Sequence, residues 1–85
     1  MTVTYEPSFL RDYASLSEEV RRRAQKQIRL LLQNPRHPSL HARKIEGYTD
    51  IYEARVTGSC RMTYKIVGET LRLRRIGTHE IYRSP

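Results

Sequence analysis

The sequence predicts an α+β domain, with an N-terminal helical hairpin packed on one face of a small, twisted, mostly antiparallel sheet of four to five strands. Three observations carry this expectation. Apolar residues recur at helical spacing between Pro7 and Gln33, and they alternate with polar ones from Asp50 to Ile76. Glycine-bearing turns at Thr57-Gly58-Ser59 and Gly68-Glu69 cut that alternating stretch into hairpin lengths. Helices first and a meander afterwards is the order of a domain whose helices gather on one sheet face. At 85 residues the chain, 1–85, is expected to form one domain.

The first strand is short, with Val3 and Tyr5 alternating with Thr2, Thr4 and Glu6. Pro7 suits a helix start, where its missing N–H would be unpaired in any case, and Phe9, Leu10, Tyr13 and Leu16 give a helix over Pro7–Leu16. Ser15 or Ser17 ends it and caps a second helix, Ser17–Gln33. Glu18 and Glu19 lie in its first turn, where carboxylates favour the positive end of the helix dipole. Val20, Ala24, Ile28, Leu31 and Leu32 form its apolar side, and Arg21, Arg22, Arg23, Lys26 and Arg29 its outer face. Asn34-Pro35 stops it, because proline disfavours helical dihedrals in the residue before it.

A loop, Arg36–Arg43, follows, with Leu40 as its anchor to the core, and then a strand over Arg43–Glu46. Three longer strands are predicted at Asp50–Thr57, Ser59–Val67 and Thr70–Ile76, the last broken in phase by a bulge at Arg75. Gly58 is expected to supply a positive φ in the first hairpin turn. Tyr52, Ala54, Val56, Met62, Tyr64, Ile66, Leu71 and Leu73 fall on the helix side. Glu53, Arg55, Arg61, Thr63, Lys65, Arg72 and Arg74 are then left on the other side, with His79 and Tyr82 brought to the edge of that face by the tail from Gly77.

Composition narrows the function. Net charge is +7, from sixteen Lys and Arg against nine Asp and Glu, so a polyanion or an acidic protein is the expected partner. Apolar content of 38% leaves one thin core and no room for a buried cofactor. The single cysteine, Cys60, precludes an intramolecular disulfide. No signal peptide or membrane span is visible, which leads to the expectation of a cytoplasmic protein without a membrane partner. His37 and His41, four apart in a proline-bearing loop, with Cys60 and His79 elsewhere, make a poor zinc pattern, so no metal or other cofactor is expected. Cations, an imidazole and a phenol on a rigid sheet suit the gripping or cutting of a polyanion.

Several segments, in this order, carry a resemblance. They are Asn34-Pro35-Arg36-His37-Pro38-Ser39-Leu40, Lys44-Ile45-Glu46-Gly47, Tyr52-Glu53-Ala54-Arg55-Val56, Arg61-Met62-Thr63-Tyr64 and Gly77-Thr78-His79-Glu80-Ile81-Tyr82. Together with the element order they resemble the RelE/ParE superfamily of toxins from type II toxin–antitoxin pairs, over essentially the whole chain. The resemblance implies a metal-independent endoribonuclease that cuts mRNA on the ribosome, a monomer when free and a hetero-oligomer with its antitoxin. Alternatives within the same resemblance are a ParE-like inhibitor of DNA gyrase, and a toxin-like protein that only binds RNA or its antitoxin.

The resemblance also assigns residues. Arg61 matches the strand arginine that holds the scissile phosphate, a task suited to a guanidinium fork. Arg55 matches a second cation that stabilises developing charge. His79 matches a C-terminal histidine that transfers protons, and Tyr82 a terminal aromatic that orients a base. Lys44, Lys65, Arg72 and Arg74 are the expected RNA contacts. Better-known RelE toxins carry two lysines where Glu53 and Arg55 stand, and an arginine where His79 stands. Glu53 is therefore a candidate base, as are His37, Ser39 and His41 in the loop from which other branches draw theirs.

Overall fold

The computed structural model describes residues Met1–Pro85 and contains two helices and five strands. Strand β1 (Thr2–Tyr5) leads into α1 (Pro7–Ala14) and α2 (Glu18–Gln33). A 3₁₀ turn (Pro38–Leu40) precedes β2 (Arg43–Lys44), β3 (Tyr52–Arg55), β4 (Arg61–Val67) and β5 (Thr70–Gly77), and a second 3₁₀ turn (His79–Arg83) closes the chain. The sheet order is β1-β5-β4-β3-β2, with β1 parallel to β5 and every other pair antiparallel.

The helices form where the pattern placed them. Pro7 occupies the first turn of α1, and Ser17 caps α2 by accepting a hydrogen bond from the Val20 amide at 3.3 Å. Ala24, Ile28 and Leu31 of α2 and Phe9 of α1 bury against Ala54, Val56, Met62, Tyr64, Leu71, Leu73 and Ile76 of the sheet, with Leu40 at the loop end of the same core. Leu10, expected in the α1 stripe, is 54% exposed. Asp12 is the residue that ties this helix to the sheet. Its carboxylate accepts from Arg75 Nε at 2.6 Å, Arg75 Nη2 at 3.2 Å and the Ile76 amide at 3.1 Å. Asp12→Ala strands that amide and a half-buried guanidinium, and is expected to cost about 1–3 kcal/mol, read from urea denaturation.

Several boundaries differ from expectation for local reasons. β2 is two residues, because after Ile45, whose amide still donates to the Ile51 carbonyl at 2.8 Å, the chain turns back, the Tyr48 amide donating to the Ile45 carbonyl at 3.2 Å. The β3–β4 turn is wider than a two-residue hairpin, and positive φ occurs at Gly47 and Gly68 but not at Gly58. The Thr57 hydroxyl organises it, accepting from the amides of Ser59 at 3.3 Å and Cys60 at 3.0 Å. The β4–β5 turn is the expected two-residue hairpin, with Gly68 at φ +61°. The bulge sits at Arg74, not Arg75: Thr63 pairs with Arg75 and Tyr64 with Leu73. The carbonyl that the bulge frees is taken by the Ser8 hydroxyl at 2.6 Å, so the start of α1 docks on the irregularity.

The largest departure concerns the face away from the helices. It is not an open basic platform. The second 3₁₀ turn folds across it, burying Ile81, Thr63 and Glu53, which are 1%, 0% and 4% exposed. Gly77 permits this close approach, since a Cβ there would lie 2.9 Å from Ile81 Cγ2.

Candidate functional site

β3 and β4 set the geometry. Their register places Arg55 directly opposite Arg61 and Glu53 opposite Thr63, while β2 sets Arg43 opposite Glu53. A solvent-open cleft of ≈ 400 Å³ results, lined by His41, Ala42, Arg43, Glu53, Arg55 and Arg61. Three guanidiniums and an imidazole surround a single carboxylate, so the cleft carries an excess of positive charge.

Glu53 is the organising residue. Its two oxygens are committed: Oε2 accepts from Arg43 Nε at 3.1 Å and Oε1 from the Tyr82 hydroxyl at 2.6 Å, with Arg61 Nε 4.0 Å away. The carboxylate therefore binds β2, β3, β4 and the C-terminal turn together, and each of its oxygens already accepts a hydrogen bond. Arg61 is held from its other side too, Nη1 donating to the carbonyls of Thr57 at 2.7 Å, Gly58 at 3.2 Å and Cys60 at 3.1 Å. Its Nη2 makes no bond within the chain. Arg55 is still less satisfied, because its Nε is enclosed and has no hydrogen-bond partner. Like charges set directly opposite on a hairpin repel, and an anion between Arg55 and Arg61 relieves that cost.

The histidines divide. His37 Nδ1 is occupied by the Ser39 amide and hydroxyl, capping the 3₁₀ turn. His41 lines the cleft, and its ring makes no hydrogen bond within the chain. The residue sits at φ 45°, ψ 43°, a left-handed conformation uncommon for a non-glycine residue, where it caps the same turn. His79 is exposed on the second 3₁₀ turn and does not line the cleft. No three His, Cys, Asp or Glu side chains come together anywhere.

The remaining cations lie apart. Lys65 pairs with Asp50 at 3.3 Å, and Arg74 and Arg72 both approach Glu6, at 3.1 and 4.0 Å. Lys44 Nζ stands 6.0 Å from the centroid of the Tyr52 ring. None of these four lines the cleft. A larger groove, ≈ 560 Å³, adjoins it through His41, Ala42 and Arg43, with Tyr52, Tyr64, Pro35 and Pro38 as its apolar wall. Arg43 was not singled out from the sequence as a site residue. The signal for it is the position opposite Glu53, which only the β2–β3 register reveals.

Burial, then the hydrogen bond to Glu53 and the charge of that carboxylate, push the Tyr82 phenol up to about 12, against the lowering influence of Arg61 and Arg43. Tyr64 is likewise pushed up to about 12, by burial and then by Tyr52. A phenol held protonated by the fold stabilises it fully below the unfolded value of about 10, and that contribution is lost as pH rises to the folded value. The melting temperature is therefore expected to fall between about pH 10 and 12. A Tyr82→Phe variant should show a shallower fall, the remainder coming from Tyr64. Cys60 is buried, and burial pushes its thiol up, which is the environment of an inert core cysteine.

No family model matches the sequence, and no curated protein matches it. Solved structures do match its fold. YafQ from E. coli BL21(DE3) superimposes with a TM-score of 0.79 at 19% identity, covering 94% of this chain and 94% of that one. The YoeB/ParE toxin from Agrobacterium tumefaciens gives a TM-score of 0.81 at 18% identity over 93% and 99%. A chain of the intact E. coli RelBE toxin–antitoxin complex gives 0.74 at 20% over 91% and 94%. With its helical hairpin, its five-stranded mixed sheet and these neighbours, the chain has the RelE/ParE toxin fold.

Proposed function

We propose that the chain is the toxin of a toxin–antitoxin pair and a metal-independent endoribonuclease that cleaves mRNA, on the ribosome, to inhibit translation. The observation that carries this reading is the Arg55–Arg61 pair, directly opposite each other in the β3–β4 register and both lining an open cleft beside an uncommitted imidazole. A phosphodiester between them is neutralised by both. The 2′-oxygen attacks phosphorus, the P–O5′ bond breaks, and a 2′,3′-cyclic phosphate and a 5′-hydroxyl result. His41 takes the 2′-hydroxyl proton, the general-base role that imidazoles most often fill. The 5′-oxygen takes its proton from the solvent that the open cleft admits. Arg61 and Arg55 stabilise the charge on the pentacoordinate phosphorus.

Glu53 and Tyr82 act in this scheme as positioning residues, holding Arg43 and Arg61 at the cleft. His79, exposed on the C-terminal turn, is the alternative proton carrier if that turn moves when RNA binds. The partner is an acidic antitoxin that covers Arg55–Lys65. Among the similar structures, those of RelE with RelB and of YafQ with DinJ are toxin–antitoxin complexes. The test is to sequence RNA ends in a translating extract, with and without the antitoxin. Discrete new ends made by the wild type and not by Arg61→Ala support the reading. Intact RNA with trapped gyrase–DNA complexes in a supercoiling assay would replace it with a ParE-like one.

A further inference from the structure

Arg55 lines two clefts. Beyond the one described, its other side faces a second concavity of ≈ 420 Å³ between α2 and the β3–β4 turn, bordered by Arg23, Lys26, Gln27, Ser39, Val56 and Thr57. Three cations and no carboxylate line this space. Gln27 is buried and locked, its Nε2 donating to the carbonyls of Arg55 at 2.9 Å and Ser39 at 3.3 Å, so it fixes the strand carrying Arg55 to the floor of the cleft. The enclosed, unpartnered Nε of Arg55 is the second sign of a missing anion. Arg23 and Lys26 are exposed and engaged in no ion pair.

We infer that this cleft is a second phosphate subsite for single-stranded RNA, taking a phosphodiester neighbouring the one held between Arg55 and Arg61, so that the strand runs from His41 past Arg55 to α2. The chemistry of the lining favours a nucleic-acid backbone over a protein. Val56 is its one apolar member, whereas protein partners require an apolar centre. Such a centre exists elsewhere, in the groove of Tyr5, Phe9, Leu10, Tyr13 and Ile28 between the helices. Polar groups that recognise a phosphate track without reading bases are those found here: guanidinium, ammonium and hydroxyl.

The inference rests on RNA being the substrate, and its test separates the two. Binding is measured on 2′-O-methyl RNA, which cannot be self-cleaved, using a dinucleotide, which carries a single phosphodiester, and an oligomer of about twelve nucleotides. The proteins are the wild type and the Arg23→Gln/Lys26→Gln double variant, with melting temperature confirming that both are folded. The double variant is expected to bind the longer RNA about tenfold or more weakly. Its log–log salt slope should be smaller by about 0.7, the share of one lost phosphate contact on a single strand. Dinucleotide affinity should not change. Equal affinity and slope for the longer RNA would overturn the subsite. So would loss of binding to an acidic polypeptide such as polyglutamate with RNA binding intact, which would assign the cleft to a protein. Because nothing is cleaved in this assay, a wild type that binds RNA through these residues but makes no RNA ends fails the endonuclease proposal and leaves the subsite standing.

Discussion

Replacing Arg61 by alanine is expected to slow RNA cleavage by on the order of 10²–10³-fold, the usual loss when one pre-organised stabiliser of transition-state charge is removed. The geometry makes this a catalytic loss and not a folding one. Arg61 Nη1 is anchored on the carbonyls of Thr57, Gly58 and Cys60, at an exposed turn where water replaces the lost donor. Its Nε stands only 4.0 Å from a Glu53 carboxylate that Arg43 and Tyr82 continue to satisfy. What disappears is a rigid fork that lines the cleft across the β3–β4 register from Arg55 and has an amine, Nη2, unbonded within the chain. Lysine at the same position keeps the charge and loses the fork, and is expected to restore only a fraction of the activity. Single-turnover cleavage beside thermal melting separates the two effects: a large fall in rate with a small change in melting temperature.

Glu53→Ala is expected to do the reverse, acting first on stability. Its side chain is 6% exposed and makes bonds to three different elements. Removal leaves the Tyr82 hydroxyl without its acceptor and the part-buried Arg61 without its neighbouring counter-charge. Arg43, whose side chain is 75% exposed, re-solvates at little cost. The net loss is about 1–3 kcal/mol. For a domain of this size that lowers the melting temperature by roughly 5–20 °C. The C-terminal turn should loosen first, seen as faster limited proteolysis after Arg83. Glu53→Gln keeps the shape and one acceptor, and should lose less.

Much of the fold was legible from two periodicities. Of the residues expected on the helix side, Ala54, Val56, Met62, Tyr64, Leu71 and Leu73 form the core while Ile66 is 42% exposed, and Ser17, Pro7 and Leu40 cap, open and anchor as their chemistry dictates. What the alternation does not encode is what covers the other face. It assigns Glu53 and Thr63 to the same side as Arg61, and they are on it. Their burial depends on Ile81 and Tyr82 folding back, a long-range event permitted by Gly77. The bulge position likewise depends on Ser8 and Glu6, far off in sequence, taking the groups freed at Arg74. The contribution of His41 is hidden for a related reason. His41 has a left-handed backbone and lies beside the cleft that Arg55 and Arg61 line, and neither feature is encoded in residue spacing.

The central claim is that this cleft cuts RNA by attack of the neighbouring 2′-hydroxyl. The most direct measurement is the chemistry of the 3′ ends left on mRNA in a translating extract supplied with the wild type or Arg61→Ala. The account predicts discrete ends bearing a 2′,3′-cyclic phosphate with the wild type, and their absence with the variant. Wild-type ends that carry a free 3′-hydroxyl, or no ends above those of Arg61→Ala, would contradict it.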